Sequence, residues 1–176
     1  MLLVKTLTMS VKISDYNDFS ERLQIEIVSS DGCSIQYIDN PSEDVQLAAV
    51  KEDGYAIADI DNPSEEVQLA AVNQNGWVIE YIANPSEKVQ LAAVKQNGFA
   101  IKWIKNPSED VQIAAVKQNG HIIQYIVNPS VQVQLKALEN IWNREFYENF
   151  IKDLPNKTEW FYREFNRLKL TKGLMK

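Results

Sequence analysis

The chain has 176 residues, an apolar fraction of 45% and a formal net charge of −6. This composition supplies enough apolar side chains for a packed core and excludes a disordered chain. A single cysteine, Cys33, excludes an internal disulfide, and no apolar run reaches the length of a membrane span or a signal peptide, so we expect a cytoplasmic protein.

Residues 1–17 form a segment of their own. Leu3, Leu7, Met9, Val11 and Ile13 alternate loosely with polar residues. Such a pattern fits a β-strand, and it fits an irregular helical cap equally well. Both interpretations stay open for this segment.

Residues 18–142 contain a unit that recurs every 22 residues. Its clearest mark is Asn-Pro-Ser, with prolines at Pro41, Pro63, Pro85, Pro107 and Pro129. A divergent copy, DFSERLQIEIVSSDG, begins at Asp18. The first and last copies diverge most, as is typical of the repeats that close an array. The period predicts a solenoid of about six repeats.

Each repeat predicts two helices. Asn40 suits the N-cap, Pro41 the first helical position, and Glu43 would complete a capping box. Gly54 suits a left-handed residue that ends this helix near residue 53. The next seven residues carry isoleucine at the third and sixth places, which predicts a short second helix that ends before the next Asn-Pro. We therefore expect a right-handed, all-α solenoid of two-helix repeats.

One polar residue interrupts the apolar arc of the first helix. On a helical wheel Val45, Ala49 and Leu47 share the buried side, whereas Ala48 falls on the exposed side. The interrupting residue is Gln24, Gln46, Gln68, Gln90, Gln112 or Gln134. Because a buried amide without a partner is costly, we predict a ladder of glutamines bonded to the backbone of the turns.

Residues 143–176 contain no further repeat. The helix that starts at Pro129 is expected to continue to about Asp153, Pro155 to break it, and a final helix to reach about Leu170. Aromatic residues at helical spacing predict a C-terminal helical cap over the open end of the array. The alternative is contact with a partner or a second copy, so we expect a monomer or a homodimer through the C-terminal helices.

Catalytic and metal-binding patterns are not evident. His121 is the single histidine, and no phosphate-binding glycine motif occurs. Cys33 lies four repeats away from His121, too far for a nucleophile and its base in an extended array. We therefore expect no enzyme activity, no cofactor and no metal.

The copies differ most in the seven residues after each glycine. The first place holds Cys33, Tyr55, Trp77, Phe99 and His121, and the fifth holds Tyr37, Asp59, Tyr81, Trp103 and Tyr125. The fourth place also varies and includes Glu80 and Lys102. A spacing of i, i+4 would put the first and fifth places on one helical face. These residues are either a binding surface or aromatic core between repeats, and the fifth-place row is the better candidate for exposure.

Acidic residues concentrate near the N-terminal side of the array. Residues 31–66 contain ten acidic residues and one lysine. The predicted acidic surface consists of Asp39, Asp44, Asp53, Asp61 and Glu66. It suits a basic partner, or it serves solubility alone.

Two kinds of partner follow from these patterns. A protein partner fits aromatic residues flanked by acidic ones, and an acidic solenoid could also inhibit a nucleic-acid-handling complex by mimicking nucleic acid. The alternative is single-stranded nucleic acid stacked on the aromatic row beside Lys102, Lys105 and Lys117.

The phrase NPSExVQLAAVKQNG, followed by aromatic-x-Ile-x-aromatic-Ile, resembles short tandem repeats of bacterial, phage and large-virus proteins that form a family of unknown function. More loosely, the arrangement is similar to leucine-rich variant and HEAT-like α-solenoids. The resemblance covers residues 18–142. It implies an α-solenoid with a binding role and assigns no catalytic residue.

Overall fold

The computed structural model describes residues 13–141 together with Arg163, Asn166 and Arg167. Within these residues the regular structure is helical throughout, without a strand. Each α-helix and each short 3-10 helix packs against its counterparts in the neighbouring repeats. The predicted all-α solenoid of about six repeats is therefore confirmed.

Repeat 1 begins at Asp18, and repeats 2 to 6 begin at the five Asn-Pro pairs. Their α-helices are α1 (Glu21–Ser30), α2 (Glu43–Glu52), α3 (Glu65–Gln74), α4 (Glu87–Gln96), α5 (Glu109–Gln118) and α6 (Val131–Glu139). The 3-10 helices of repeats 1 to 5 are Gly32–Tyr37, Gly54–Asp59, Gly76–Tyr81, Gly98–Trp103 and Gly120–Tyr125. The array thus presents one side of α-helices and one side of 3-10 helices.

A further 3-10 helix, Ile13–Asp18, precedes repeat 1. It brings the buried Tyr16 against Phe19 and Tyr37, with ring centroids 5.9 Å and 5.7 Å apart. Of the two interpretations of the N-terminal segment, the helical one therefore holds for residues 13–17. Residues 1–12 lie outside the described part.

The start of the α-helices differs from the prediction. Ser42, rather than Asn40, is the N-cap of α2, and its hydroxyl accepts a hydrogen bond from the backbone N–H of Val45. Asn40 instead takes a left-handed backbone with φ of 50°, which an asparagine tolerates better than most residues. Its place before Pro41 also disfavours the α region, so the helix begins after the proline. The predicted capping box with Glu43 is wrong for the same reason.

The glycines also have a different role from the one predicted. None of Gly32, Gly54, Gly76, Gly98 and Gly120 has a left-handed backbone. They lie instead where the next repeat approaches closely: a Cβ on Gly76 would come within 2.5 Å of the carbonyl oxygen of Ala93. The glycines therefore allow adjacent repeats to pack, and each begins a 3-10 helix.

The core runs along the array between the two helical layers. Val45, Ala49 and Val50 of α2 are fully buried, and Ile57 of the following 3-10 helix is 2% exposed. Ala48 was expected to be exposed, but it is half-buried against the core. The reason is that α2 has α1 on one side and α3 on the other, which widens its buried arc.

The glutamine ladder is confirmed. The side-chain amide of Gln46 donates to the carbonyl of Pro41 at 2.8 Å. Gln68, Gln90, Gln112 and Gln134 repeat this bond with their own prolines. Gln24 bonds the carbonyl of Tyr16 instead. Each glutamine therefore fixes the turn through which the chain enters its α-helix.

The last α-helix of the described array, α6, is shorter than predicted. Helix α6 ends at Glu139, and Asn140 leaves the helical conformation with φ of −111° and ψ of 9°. The expected continuation of this helix to Asp153 is therefore wrong. The predicted capping aromatics lie outside the described residues. Of the predicted final helix, only Arg163, Asn166 and Arg167 are described, and all three are helical.

Candidate functional site

Each 3-10 helix sorts its side chains between the core and the surface. In repeat 3, Val78 and Ile79 are buried and Ile82 is 7% exposed, which leaves the first, fourth, fifth and seventh places after Gly76 toward the surface. The backbone N–H of Trp77 is bonded to the side chain of Asn75 at 3.1 Å, and repeats 2, 4 and 5 make the equivalent bond. Buried isoleucines and this bond anchor the backbone of each 3-10 helix, from which the outward side chains project.

We call these outward side chains of repeats 1 to 5 the 3-10 face. They occupy the first, fourth, fifth and seventh places after Gly32, Gly54, Gly76, Gly98 and Gly120. The predicted binding residues Tyr37, Tyr55, Asp59, Trp77, Glu80, Tyr81, Phe99, Lys102, Trp103, His121 and Tyr125 all belong to this face.

The exposed large apolar side chains of the described residues are gathered on the 3-10 face. Tyr55 is 44% exposed, Tyr81 49%, Trp103 50% and Tyr125 38%. The interpretation as buried core is therefore wrong for these four rings, whereas Tyr37 and Phe99 are partly buried against the core. The fifth place was expected to be the more exposed one, and this is confirmed at Tyr81, Trp103 and Tyr125, whereas Tyr37 is half-buried.

Trp77, Phe99 and His121 at the first place are half-buried. The sequence missed Val127, which is 85% exposed at the seventh place. Variation of the seventh place between copies was the available signal, since this place also holds Asp39, Asp61, Ala83 and Lys105.

Ring contacts connect neighbouring repeats rather than places within one helix. Tyr55 of repeat 2 contacts Tyr81 of repeat 3 edge-on with centroids 6.1 Å apart, and Phe99 contacts Tyr125 in the same way. Trp77 and Phe99 stack at 6.5 Å with an interplanar angle of 5°. The expected pairing of first and fifth places within one repeat assumed an α-helix. With three residues per turn, these places point about 120° apart.

Charge changes sign along the 3-10 face. The seventh place holds Asp39 in repeat 1, Asp61 in repeat 2 and Lys105 in repeat 4, all exposed. Asp39 and Asp61 share a groove of about 530 Å³ with Asp59. In repeat 4, the ammonium of Lys102 lies 4.2 Å from the ring centroid of Tyr125, a cation–π contact. The face is therefore acidic at repeats 1 and 2, carries the exposed Glu80 beside Trp77 and Tyr81 at repeat 3, and is basic at repeat 4.

The predicted acidic surface is divided between separate places. Asp39 and Asp61 lie on the 3-10 face, whereas Asp44 lines a shallow groove of the α-helical side with Leu47 and Lys51. Glu66 is exposed at the equivalent place in the first turn of α3.

Asp53 is half-buried and accepts a weak hydrogen bond from the Cys33 thiol, 3.6 Å from its carboxylate oxygen. Burial and then the charge of Asp53 raise the pKa of this thiol above its ordinary value. A raised pKa keeps the sulfur protonated and weakly reactive.

The described residues were searched for side-chain groups that could bind a metal ion. Within residues 13–141 no three histidine, cysteine, aspartate or glutamate side chains come together as a metal site. The charge of Glu80 raises the pKa of Tyr81, so this phenol stays protonated at neutral pH. No helix of the described part is long and apolar enough to cross a membrane.

The comparisons with known proteins found no relative of this chain. The chain matches no protein-family model, no curated protein and no solved structure. The resemblance to short tandem repeats of unknown function therefore stays a prediction, and the 3-10 face is the site from which a function is to be inferred.

Proposed function

We propose that this chain is a non-enzymatic protein-binding module and that a protein partner docks on the 3-10 face. The observation that carries the proposal is the concentration of half-exposed aromatic side chains on this one face. Tyrosine and tryptophan combine a large apolar area with a polar atom, so they are enriched where proteins contact one another. Exposed apolar side chains that are grouped on one face mark an interaction site more often than singly scattered ones do.

The arrangement of these side chains suits tight binding. The neighbouring isoleucines Ile79 and Ile101 are 2% exposed, and ring contacts between repeats hold Tyr55 against Tyr81. Aromatic side chains that are fixed in the free protein lose little conformational entropy on binding. The 3-10 face is therefore organised before a partner arrives.

The acidic residues of the 3-10 face indicate the charge that a partner would carry. Three carboxylates, Asp39, Asp59 and Asp61, share one groove beside the aromatic residues. A partner with basic side chains opposite repeats 1 and 2 would be attracted to this end, which favours its association rate and orientation. An acidic solenoid that occupies a basic surface could also inhibit a complex that handles nucleic acid.

Single-stranded nucleic acid is the alternative partner. Lys102 contacts the ring of Tyr125, and Lys105 is exposed on the same face, a combination that suits stacked bases and phosphates. The acidic groove at repeats 1 and 2 repels phosphates, so we favour the protein partner. Binding of short single-stranded oligonucleotides at low salt would support the alternative and oppose the protein proposal.

The test is affinity capture with the full chain as bait in extract from its native cells, with bound proteins identified by mass spectrometry. Trp103→Ala and Tyr81→Ala are compared with Lys95→Ala, an exposed residue on the opposite, α-helical side. We expect a partner that the original chain and Lys95→Ala retain and both aromatic variants lose. Equal melting temperatures of all baits exclude misfolding.

Two results would overturn the proposal. One is a partner that the aromatic variants capture as well as the original chain does, because it would bind elsewhere. The other is that the original chain captures no protein more strongly than the aromatic variants do. A second copy of the chain itself counts as a captured protein in this comparison.

A further inference from the structure

We infer that Asn119 is a site of spontaneous deamidation, whereas the equivalent asparagines Asn75 and Asn97 are protected from this reaction by a glutamine of the next repeat. The inference does not depend on the proposed partner. All three asparagines lie in the same sequence, Gln-Asn-Gly, between an α-helix and the 3-10 helix that follows it. Asparagine is one of the thermolabile residues of proteins, and a glycine after it has no Cβ to hinder the reaction.

The reaction joins the backbone of the glycine to the side chain of the asparagine. The backbone nitrogen of Gly120 attacks Cγ of Asn119, and the new C–N bond closes a cyclic imide. The side-chain nitrogen of the asparagine leaves as ammonia and takes the proton of the glycine N–H with it. Water then opens the imide at either of its carbonyls. The product is aspartate or isoaspartate, and each of them adds a negative charge at neutral pH.

The starting conformation is the same at the three asparagines. The backbones of Asn75, Asn97 and Asn119 are extended, with ψ of 109°, 110° and 114°. The side-chain oxygen of each accepts a hydrogen bond from the backbone N–H two residues later, at 3.1, 3.0 and 3.0 Å. Such a ψ points the glycine nitrogen away from the asparagine side chain, so the same rotation about ψ has to precede attack at each site. A difference in rate therefore depends on what holds the glycine nitrogen.

The glycine nitrogen is held in repeats 3 and 4. The N–H of Gly76 donates to Oε1 of Gln96 at 2.8 Å, and the N–H of Gly98 donates to Oε1 of Gln118 at 3.1 Å. Each of these glutamines is the last residue of the next α-helix. We call this bond the glycine clamp. Rotation about ψ has to break the clamp before the nitrogen can reach Cγ, and this cost slows the reaction.

The glycine clamp is missing in repeat 5. The place of Gln96 and Gln118 is taken in repeat 6 by Asn140, whose shorter side chain donates to the carbonyl of Lys136 at 2.9 Å. Among the described residues, none accepts a hydrogen bond from the N–H of Gly120, although this glycine is buried. Of the three Asn-Gly pairs, the one in repeat 5 is therefore the one whose glycine nitrogen can move without breaking a clamp.

The reaction gives repeat 5 a residue type that repeats 1 and 2 already have at this place, as Asp31 and Asp53. An aspartate in place of Asn119 can keep the bond to the backbone N–H of His121, since Asp53 makes the equivalent bond to Tyr55 at 2.9 Å. Isoaspartate instead lengthens the backbone by a methylene group just before the 3-10 helix.

Incubation of the full chain in mildly alkaline buffer, followed by peptide mapping with mass spectrometry, measures the deamidation rate of each asparagine. The same measurement in urea gives the rate of each site in the unfolded chain, which corrects for the different residues that follow each glycine. We expect folding to slow the reaction at Asn75 and Asn97 about threefold or more beyond its effect at Asn119, the effect of one hydrogen bond. Equal protection of the three sites, or the strongest protection at Asn119, would overturn the inference.

Removal of one clamp tests its contribution at a protected site. Gln96→Ala takes away the acceptor of the Gly76 N–H, so we expect the rate at Asn75 to rise about threefold or more. Asn97 keeps its own clamp and is expected to keep its rate. If all sites instead react faster by the same factor, the variant has destabilised the whole array, and the clamp is then judged by the reverse substitution in repeat 6.

The reverse substitution supplies the missing acceptor. Asn140→Gln places in repeat 6 the residue that holds the glycine in repeats 3 and 4, so we expect it to slow the reaction at Asn119 about threefold or more. Asn140→Ala is the matched control, because it supplies no acceptor and is expected not to slow the reaction. If neither Gln96→Ala nor Asn140→Gln selectively changes the rate at its own site, the clamp does not protect and the inference is wrong.

Discussion

The hydroxyl of Ser86 donates a hydrogen bond of 2.5 Å to the carboxylate of Glu65, which lies one repeat earlier. The same hydroxyl accepts from the backbone N–H of Val89 at 3.4 Å and so caps α4. This relationship recurs along one edge of the array in the pairs Ser42–Glu21, Ser64–Glu43, Ser108–Glu87 and Ser130–Glu109. Each serine therefore joins its own helix to the preceding repeat.

Replacement of Ser86 by alanine removes both bonds. We expect a loss of about 1 kcal/mol in the free energy of unfolding, the usual cost of a lost N-cap. Ser20 is the matched control, because it occupies the N-cap of α1 without a side-chain capping bond. Urea unfolding of Ser86→Ala and Ser20→Ala measures the difference. Equal losses in the two variants would show that the hydroxyl of Ser86 contributes nothing specific.

The serine–glutamate bond also makes stability depend on pH. The hydrogen bond from Ser86, with a smaller contribution from Lys88, lowers the pKa of Glu65 below its ordinary value. Because the folded-state pKa is the lower one, this carboxylate stabilises the fold above its unfolded-state pKa of about 4.3, and the stabilisation is lost as the pH falls through the folded-state pKa.

We therefore expect Glu65→Gln to be less stable than the original chain at neutral pH and equally stable in strong acid. Urea unfolding across this pH range measures the effect, and an NMR titration of the Glu65 carboxylate measures its pKa. The same titration in Ser86→Ala is expected to return the pKa toward its ordinary value. A pKa of Glu65 that does not respond to Ser86→Ala would contradict the assignment.

The glutamine ladder allows a comparison within one helix. Gln134 of α6 is fully buried and bonds the carbonyl of Pro129 at 2.9 Å, whereas Gln132 is exposed. Gln134→Met keeps the side-chain volume but leaves this carbonyl without its donor, so we expect a loss of about 1–3 kcal/mol in the free energy of unfolding. Gln132→Met is expected to change it by less than about 0.5 kcal/mol. Denaturant unfolding of both variants tests this, and a neutral Gln134→Met would refute the ladder's contribution.

Alanine substitutions at the glycines measure how closely adjacent repeats approach each other. A Cβ at Gly76 would meet the backbone oxygen of Ala93 at 2.5 Å, whereas its nearest neighbour at Gly98 would be the terminal methyl of Ile122, also at 2.5 Å. Backbone yields less readily than the end of a side chain, so we expect Gly76→Ala to cost about 1–3 kcal/mol and Gly98→Ala to cost less. Thermal unfolding of the two variants ranks them. If Gly76→Ala is more stable than the original chain, the lower conformational entropy of its unfolded state outweighs the close contact with the carbonyl oxygen of Ala93.

Features that recur in every repeat were predictable from the sequence, whereas features decided by the local backbone were not. The 22-residue spacing and the recurring glutamine were sufficient to predict the repeats and the ladder, because every copy repeats the same constraint. The N-cap was not predicted correctly, because Asn40 and Ser42 are both common N-cap residues and only the backbone shows which one takes the left-handed conformation. The capping box predicted for Glu43 was wrong for the same reason. The carboxylate of Glu43 accepts a hydrogen bond from Ser64 of the next repeat.

The sequence by itself determined the number of repeats, the helical class of the fold and the segment in which the copies differ. The period of 22 residues counts the repeats, and the N-cap residues and the helical spacing of apolar residues in each copy indicate helices. Only the tertiary structure decided which side chains meet across repeats, such as Tyr55 with Tyr81 and Ser86 with Glu65. These contacts depend on how successive repeats stack and on the three-residue turn of the 3-10 helix. The order of residues within one repeat specifies neither of these.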